Sequence, residues 1–182
     1  TGGAKPGQDV VMSKWAGIEG TSILAHDYET LLTGKIAPLY IDQAKALSHY
    51  LSVMPESKIA MSYGVTAMHD ATEGGILGAC WEIANASGSG IEVFTGQIPV
   101  REETKLICDF FAINPQRLIA SGSMVMTTFE GVKLVNALKE NGIHAAIIGR
   151  IIEQGMFMNE EVKTPLLQPD ADEIYKIKLP EQ

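Results

Sequence analysis

His69-Asp70-Ala71-Thr72-Glu73-Gly74-Gly75 gathers two carboxylates, a hydroxyl and a pair of glycines into one short stretch. Those groups suit a magnesium-bound phosphate. Hard oxygen ligands hold Mg2+, which bridges phosphate oxygens. Glycines let a ligand come close to the backbone. The first turn of a helix offers N–H groups without partners and a partial positive charge. The flanks supply such a helix. An apolar approach (Val65, Ala67, Met68) reads as a strand, and Ile76, Leu77, Ala79, Cys80, Trp81, Ile83 and Ala84 follow with helical spacing. Gly74, Gly75 and Gly78 fall inside that predicted helix, where each costs about 1 kcal/mol relative to alanine. A ligand or a tightly packed neighbour has to offset that cost.

Taken together, Asp70, Thr72, Glu73, Gly74 and Gly75 are candidate phosphate contacts, with Asp70 also the candidate Mg2+ ligand. A structural description fits the same residues. Asp70 and Glu73 stand three apart, as in a capping box. Asp70 is then the helix N-cap, Thr72 a solvated first-turn residue, and the glycines pack against a sheet. Residue types alone do not separate the two descriptions.

Gly17-Ile18-Glu19-Gly20-Thr21 is a second glycine-bracketed loop ahead of a helix, which adds Gly20 and Thr21 to the candidates. Ser121-Gly122-Ser123 reads as a tight turn or a cleft lining. His69 either polarises a substrate or serves structure at a strand end. His26, His49 and His144 have no metal-ligand spacing with one another or with the cysteines. No Ser-His-Asp or Cys-His constellation stands out.

The elements that must position these residues follow from hydrophobic spacing. Val10–Met12, the run into Asp70, Ile91–Phe94, Met124–Met126 and Ala145–Ile148 read as strands. Helices carry Ile23, Leu24, Tyr28, Leu31 and Leu32; then Leu39 to Met54, opened by Pro38 and stopped by Pro55; then Ile76 to Ser87; then Leu106 to Phe111 after Pro99; then Val132 to Leu138. From Glu160 the chain turns polar and is dotted with prolines, which predicts a loosely attached strand pair or a wrapping arm. Strands alternating with helices predict an α/β sheet domain.

At 182 residues the chain is long enough for one domain with a sizeable core. It opens on a polar, glycine-rich stretch without an initiator Met, which reads as the edge of an interdomain linker over residues 1–8. A net charge of −8, with scattered Lys and Arg, argues against a nucleic-acid surface. No apolar run reaches the ~18 residues of a membrane span. Cys80 and Cys108 lie far apart in apolar helical patterns and are expected to be buried, reduced thiols of a cytoplasmic protein.

Gly3-Ala4-Lys5-Pro6-Gly7-Gln8-Asp9 resembles the turn that opens the C-terminal domain of the aminoimidazole ribonucleotide (AIR) synthetase superfamily, the PurM-like proteins. Ala67–Gly75 resembles that family's DxTxGG motif. The likeness continues through Glu82–Gly90, Ile98–Thr104 and Asn114–Ser123, covering roughly residues 3 to 150. It is closest in flavour to HypE-type hydrogenase expression/formation proteins and AIR synthase-related proteins. The resemblance implies an α/β (α+β) fold, a layered mixed sheet flanked by helices, over 1–182 with an irregular tail at 160–182. It implies ATP and Mg2+ as cofactors, and phosphorylation of an amide-type oxygen, a phosphate ester or selenide. It further implies that an N-terminal ATP-binding domain lies outside this sequence, dimerises when present, and carries much of the nucleotide site. The isolated chain is then expected to be catalytically silent, with its own N-terminal domain and maturation proteins as partners. HypE proteins end in a Cys that accepts a carbamoyl group, whereas no Cys follows Cys108 here. That departure motivates the alternative of a non-catalytic assembly module that keeps the fold.

Overall fold

The computed structural model describes residues 1–160 and 162–179. Glu161 and Pro180-Glu181-Gln182, part of the expected tail, lie outside the described residues. In chain order the elements are β1 (Asp9–Ser13), α1 (Ile18–Asp27), α2 (Glu29–Leu32), α3 (Pro38–Ala46), α4 (Met54–Ala60), β2 (Ala67–Asp70), α5 (Gly75–Ser87), β3 (Gly90–Phe94), α6 (Glu102–Phe111), β4 (Met124–Thr128), α7 (Gly131–Glu140), β5 (Ala145–Ile152), β6 (Met156–Asn159) and β7 (Lys163–Pro165).

The strands form one seven-stranded mixed sheet in the order β2-β4-β1-β5-β3-β6-β7. Neighbours run antiparallel except β3 and β6, which are parallel. Side chains alternate faces along a strand, so β1 serves two cores. Val10 and Met12 join Ile76, Leu77, Cys80 and Ile83 of α5. Val11 joins Leu134 and Leu138 of α7 and Ala60 of α4. A third core gathers Leu24, Ile41, Ile107, Phe111 and Leu118, where α1, α3 and α6 meet. The register sets Ser13 opposite Ala145 and Asp70 opposite Met124, so the ends of β1 and β2 and the starts of β4 and β5 share one end of the sheet. The layered mixed-sheet expectation holds.

Three local expectations are corrected. The helix expected from Pro38 to Met54 ends at Ala46 and gives way to a tight turn over Leu47–Tyr50. Pro55 does not stop a helix but stands in the first turn of α4, where its missing N–H has no partner to lose. Gly17, in the left-handed conformation at φ 66°, is the N-cap of α1, which puts Gly20 and Thr21 inside a helix and not in a loop. The strand pair expected in the tail is β6 with β7, but β6 lies ahead of Glu160 and escaped the sequence reading, as did the bounds of β7. Both strands are short, sit at the sheet edge and are half-buried or exposed, so no apolar alternation marks them. The tail beyond β7 does wrap the molecule but is not loose: Leu166 and Asp172 are buried.

Candidate functional site: the acidic turn between β2 and α5

Asp70 ends an edge strand. The chain then turns under control of the segment leading into β4. Ala71 donates to the Ser123 carbonyl at 2.8 Å, and its own carbonyl accepts from Ala120 at 3.0 Å. Thr72 N–H reaches the Asp70 carbonyl and Gly75 N–H the Thr72 carbonyl, both at 3.1 Å, closing the turn on itself. Gly74 and Gly75 follow with φ of 80° and 61°. Two consecutive left-handed residues are natural for glycine and costly for other types, and they delay the helix to Gly75.

The capping-box description is therefore wrong. Gly74 is the N-cap and, being glycine, makes no side-chain cap bond of its own; Asp70 does not take that place, because it is still paired in the sheet with Met124. The interior-helix cost applies to Gly78 alone. What offsets the glycines is packing. A Cβ on Gly74 would lie 2.9 Å from Cβ of Pro169, and one on Gly75 would lie 2.7 Å from the carbonyl oxygens of Gln116 and Leu118.

Two further backbone donors of this junction are also occupied. Gly74 N–H donates to Asp172 Oδ2 at 2.7 Å, and Leu77 N–H to the Gln116 carbonyl at 3.1 Å. The expectation that Gly74 and Gly75 meet a phosphate through their backbone is corrected, because their surroundings are protein. The side chains of Asp70, Thr72 and Glu73 remain outward and exposed. Asp70 makes no side-chain hydrogen bond among the described residues; His69 Nδ1 lies 3.8 Å from its Oδ1. The other ring nitrogen of His69 lies 2.6 Å from Glu82 Oε2, which ties β2 to α5 and orients the imidazole.

Gly20 and Thr21 do not join this surface, which corrects their place among the candidates. Both are buried. Thr21 Oγ1 donates to Thr104 Oγ1 at 3.2 Å. Gly20 N–H donates to the Ile119 carbonyl at 2.9 Å, and a Cβ on Gly20 would lie 2.5 Å from Leu118 Cγ. Their glycine and hydroxyl serve the fit of α1 against the 118–119 segment. Ser123, of the third candidate turn, is fully buried and donates from Oγ to the Trp15 carbonyl.

Asp172 and Gln116 escaped the sequence reading. Gln116 acts through its carbonyl, which no side-chain pattern reveals. Asp172 had a local signal: its carboxylate accepts from Ile174 N–H two residues on, the Asx turn that Asp favours.

Among the described residues no group of three or more His, Cys, Asp or Glu side chains is arranged to hold a metal ion. Asp70 still fits Mg2+ as a single ligand. The carboxylate is free and hard, and Mg2+ commonly takes one or two carboxylates together with waters and substrate phosphates. Cys80 and Cys108 are free and buried, as expected. Burial is the main cause that pushes both thiols up to about 12, which leaves neither a nucleophile at neutral pH. Among the described residues no helix is long and apolar enough to cross a membrane.

Comparison with known proteins agrees with this architecture. Carbamoyl dehydratase HypE of Rhodobacter capsulatus is 27% identical over 157 residues, 84% of this chain and 44% of that protein. The crystal structure of E. coli HypE, a hydrogenase maturation protein, superposes with a TM-score of 0.75 at 25% identity, over 92% of this chain and 52% of that one. The hydrogenase maturation protein HypE in complex with ATP gives a TM-score of 0.70 at 20% identity, over 94% and 53%, and shows the fold alone. The chain thus spans about half the length of the relatives it matches. The family model for AIR synthase related protein, C-terminal domain, matches residues 5–158, from the opening turn through the acidic junction to β6, and this chain belongs to that family.

Proposed function

We propose that this chain is the C-terminal half of a HypE-like, ATP-dependent protein of hydrogenase maturation. The observation that carries the reading is the division of labour at the β2–α5 junction. The backbone of the turn is locked from behind by protein contacts, while Asp70, Thr72 and Glu73 stand free at the end of the sheet. Rigid backbone with free oxygen-bearing side chains is what phosphoryl-transfer sites need, because their catalysis is mostly positioning and charge neutralisation.

In this reading Asp70 is a ligand of a magnesium ion carried by the nucleotide, and Glu73 adds negative charge on the same side. The ion, when bound, neutralises phosphate charge. The Thr72 hydroxyl donates to a phosphate oxygen. His69, held by Glu82, borders the turn. Gly20 and Thr21 seat α1 and make no contact with the nucleotide. The remaining nucleotide contacts lie on an N-terminal half, through which the protein dimerises. The substrate group is activated by phosphorylation, and other maturation proteins are its partners, in the cytoplasm. By itself the chain lacks most of the positioning groups and turns nothing over.

Calorimetry with Mg-ATP on the polypeptide as its gene encodes it tests the reading. Asp70→Asn should weaken binding by about tenfold, the loss of one charge-assisted contact. Unchanged affinity overturns it. One observation favours the second reading, a non-catalytic assembly module: Gly74 N–H and Leu77 N–H, two donors at the start of α5, are already taken. That reading predicts capture of a maturation partner without any effect of Mg-ATP on the complex.

A further inference from the structure

We propose that Asp172 is a built-in anion that shapes the Asp70–Glu73 turn from behind, and is thus a positioning residue of the proposed nucleotide site. The positioning itself is a matter of packing and hydrogen bonds; only its purpose rests on the nucleotide reading.

Asp172 is 2% exposed. Its two oxygens are divided between three segments. Oδ2 accepts from Gly74 N–H at 2.7 Å. Oδ1 accepts from Ile119 N–H at 3.2 Å and from Ile174 N–H at 2.9 Å. One carboxylate thus fastens the start of α5, the segment leading to β4, and the tail itself. No Lys, Arg or His forms an ion pair with it among the described residues. A buried charge without a counter-ion is costly, and here backbone donors and the positive end of α5 balance it.

The rest of the tail keeps the carboxylate in place. Pro169 packs against Gly74 and Gly78, where any Cβ on Gly74 would collide with it. Glu173 Oε2 accepts from Asn114 N–H at 2.9 Å. Lys178 N–H donates to the Phe111 carbonyl at 3.1 Å. Ile174 and Ile177 pack onto the core of α1, α3 and α6. This anchor lies beyond residues 5–158, the part that the family model matches.

A mode of recognition follows. With Asp172 docked, Gly74 N–H is already taken, so an incoming phosphate cannot use that donor. The side chains of the turn then meet it: Thr72 directly, and Asp70 through a cation.

Amide exchange and chemical shifts of the 182-residue chain test this without any nucleotide, so the result is independent of the Asp70→Asn calorimetry. Asp172→Ala should speed exchange at Gly74 and Ile119 by about tenfold or more, as expected for losing a charge-assisted hydrogen bond, and should move the signals of Ala71–Glu73. Added formate, a carboxylate small enough for the vacated space, should restore both. Chloride at equal ionic strength should not, and the unmodified chain should ignore formate. Unmoved turn signals, or formate no better than chloride, overturns the proposal. If Asp172→Ala does not fold, Asp172→Asn decides. It fills the same space with a neutral amide, so the turn signals must move and formate must fail to restore them; turn signals identical to the unmodified chain overturn the proposal.

Discussion

The junction before α5 and the junction before α1 look alike in sequence: each joins a strand to a helix through glycines, a carboxylate and a threonine. In the folded chain they do opposite things. At the first, Asp70, Thr72 and Glu73 are exposed and the glycines are sealed from behind. At the second, Thr21 is spent on Thr104 and Gly20 on Leu118. The difference teaches that a glycine-rich junction has two sides, and that function depends on which side the rest of the chain covers. Ile119 joins the two: its carbonyl accepts from Gly20 and its N–H donates to Asp172, which also holds Gly74.

The largest effect expected of this comparison is at Gly75. Alanine there meets both a left-handed backbone and two carbonyl oxygens at 2.7 Å, so Gly75→Ala should cost about 3 kcal/mol in urea denaturation. A neutral result would show that packing does not require the glycine. Gly20→Ala should cost about 2 kcal/mol, because its clash is with the Leu118 side chain, which can shift where a backbone cannot. Leu118→Ala, in the same background, should cost less than it does alone, with a coupling of about 1 kcal/mol in a double-mutant cycle. Additive losses would mean that the two residues do not press on each other.

Thr21→Val should cost about 1 kcal/mol for a lost buried hydrogen bond and leave Mg-ATP affinity untouched in calorimetry. A weakened affinity would return Thr21 to the site. Smallest in stability is Thr72→Ala, within about 0.5 kcal/mol because the side chain is exposed. It should nonetheless lower Mg-ATP affinity severalfold by calorimetry, and if affinity holds, the exposed turn has no claim on the phosphate.

Much of the fold was legible because core strands and amphipathic helices announce themselves by period. Val10, Val11 and Met12, or Ile91 and Val93, need only their neighbours to be recognised. Pro55 was misread because a proline opens a helix as readily as it stops the one before it, and the loop over Gly17–Thr21 was misread because Gly17 alone turns the chain and the helix starts at Ile18. Of the candidate site, Asp70, Thr72 and Glu73 could be picked out by type. Their separation from Gly20 and Thr21 could not, since Leu118 and Thr104 stand far along the chain.

The amino-acid sequence by itself determined a sheet domain with its helices and the position of an acidic, hydroxyl-bearing turn at a strand end, because short-range spacing and local turn chemistry carry that information; the family was legible through the resemblance of its motifs. Only the tertiary structure decided which groups of that turn face outward. The deciding partners are remote: Asp172 lies 98 residues from Gly74 and Thr104 lies 83 from Thr21. Whether a backbone donor or a hydroxyl is free depends on what the completed fold brings against it, and no local pattern encodes that.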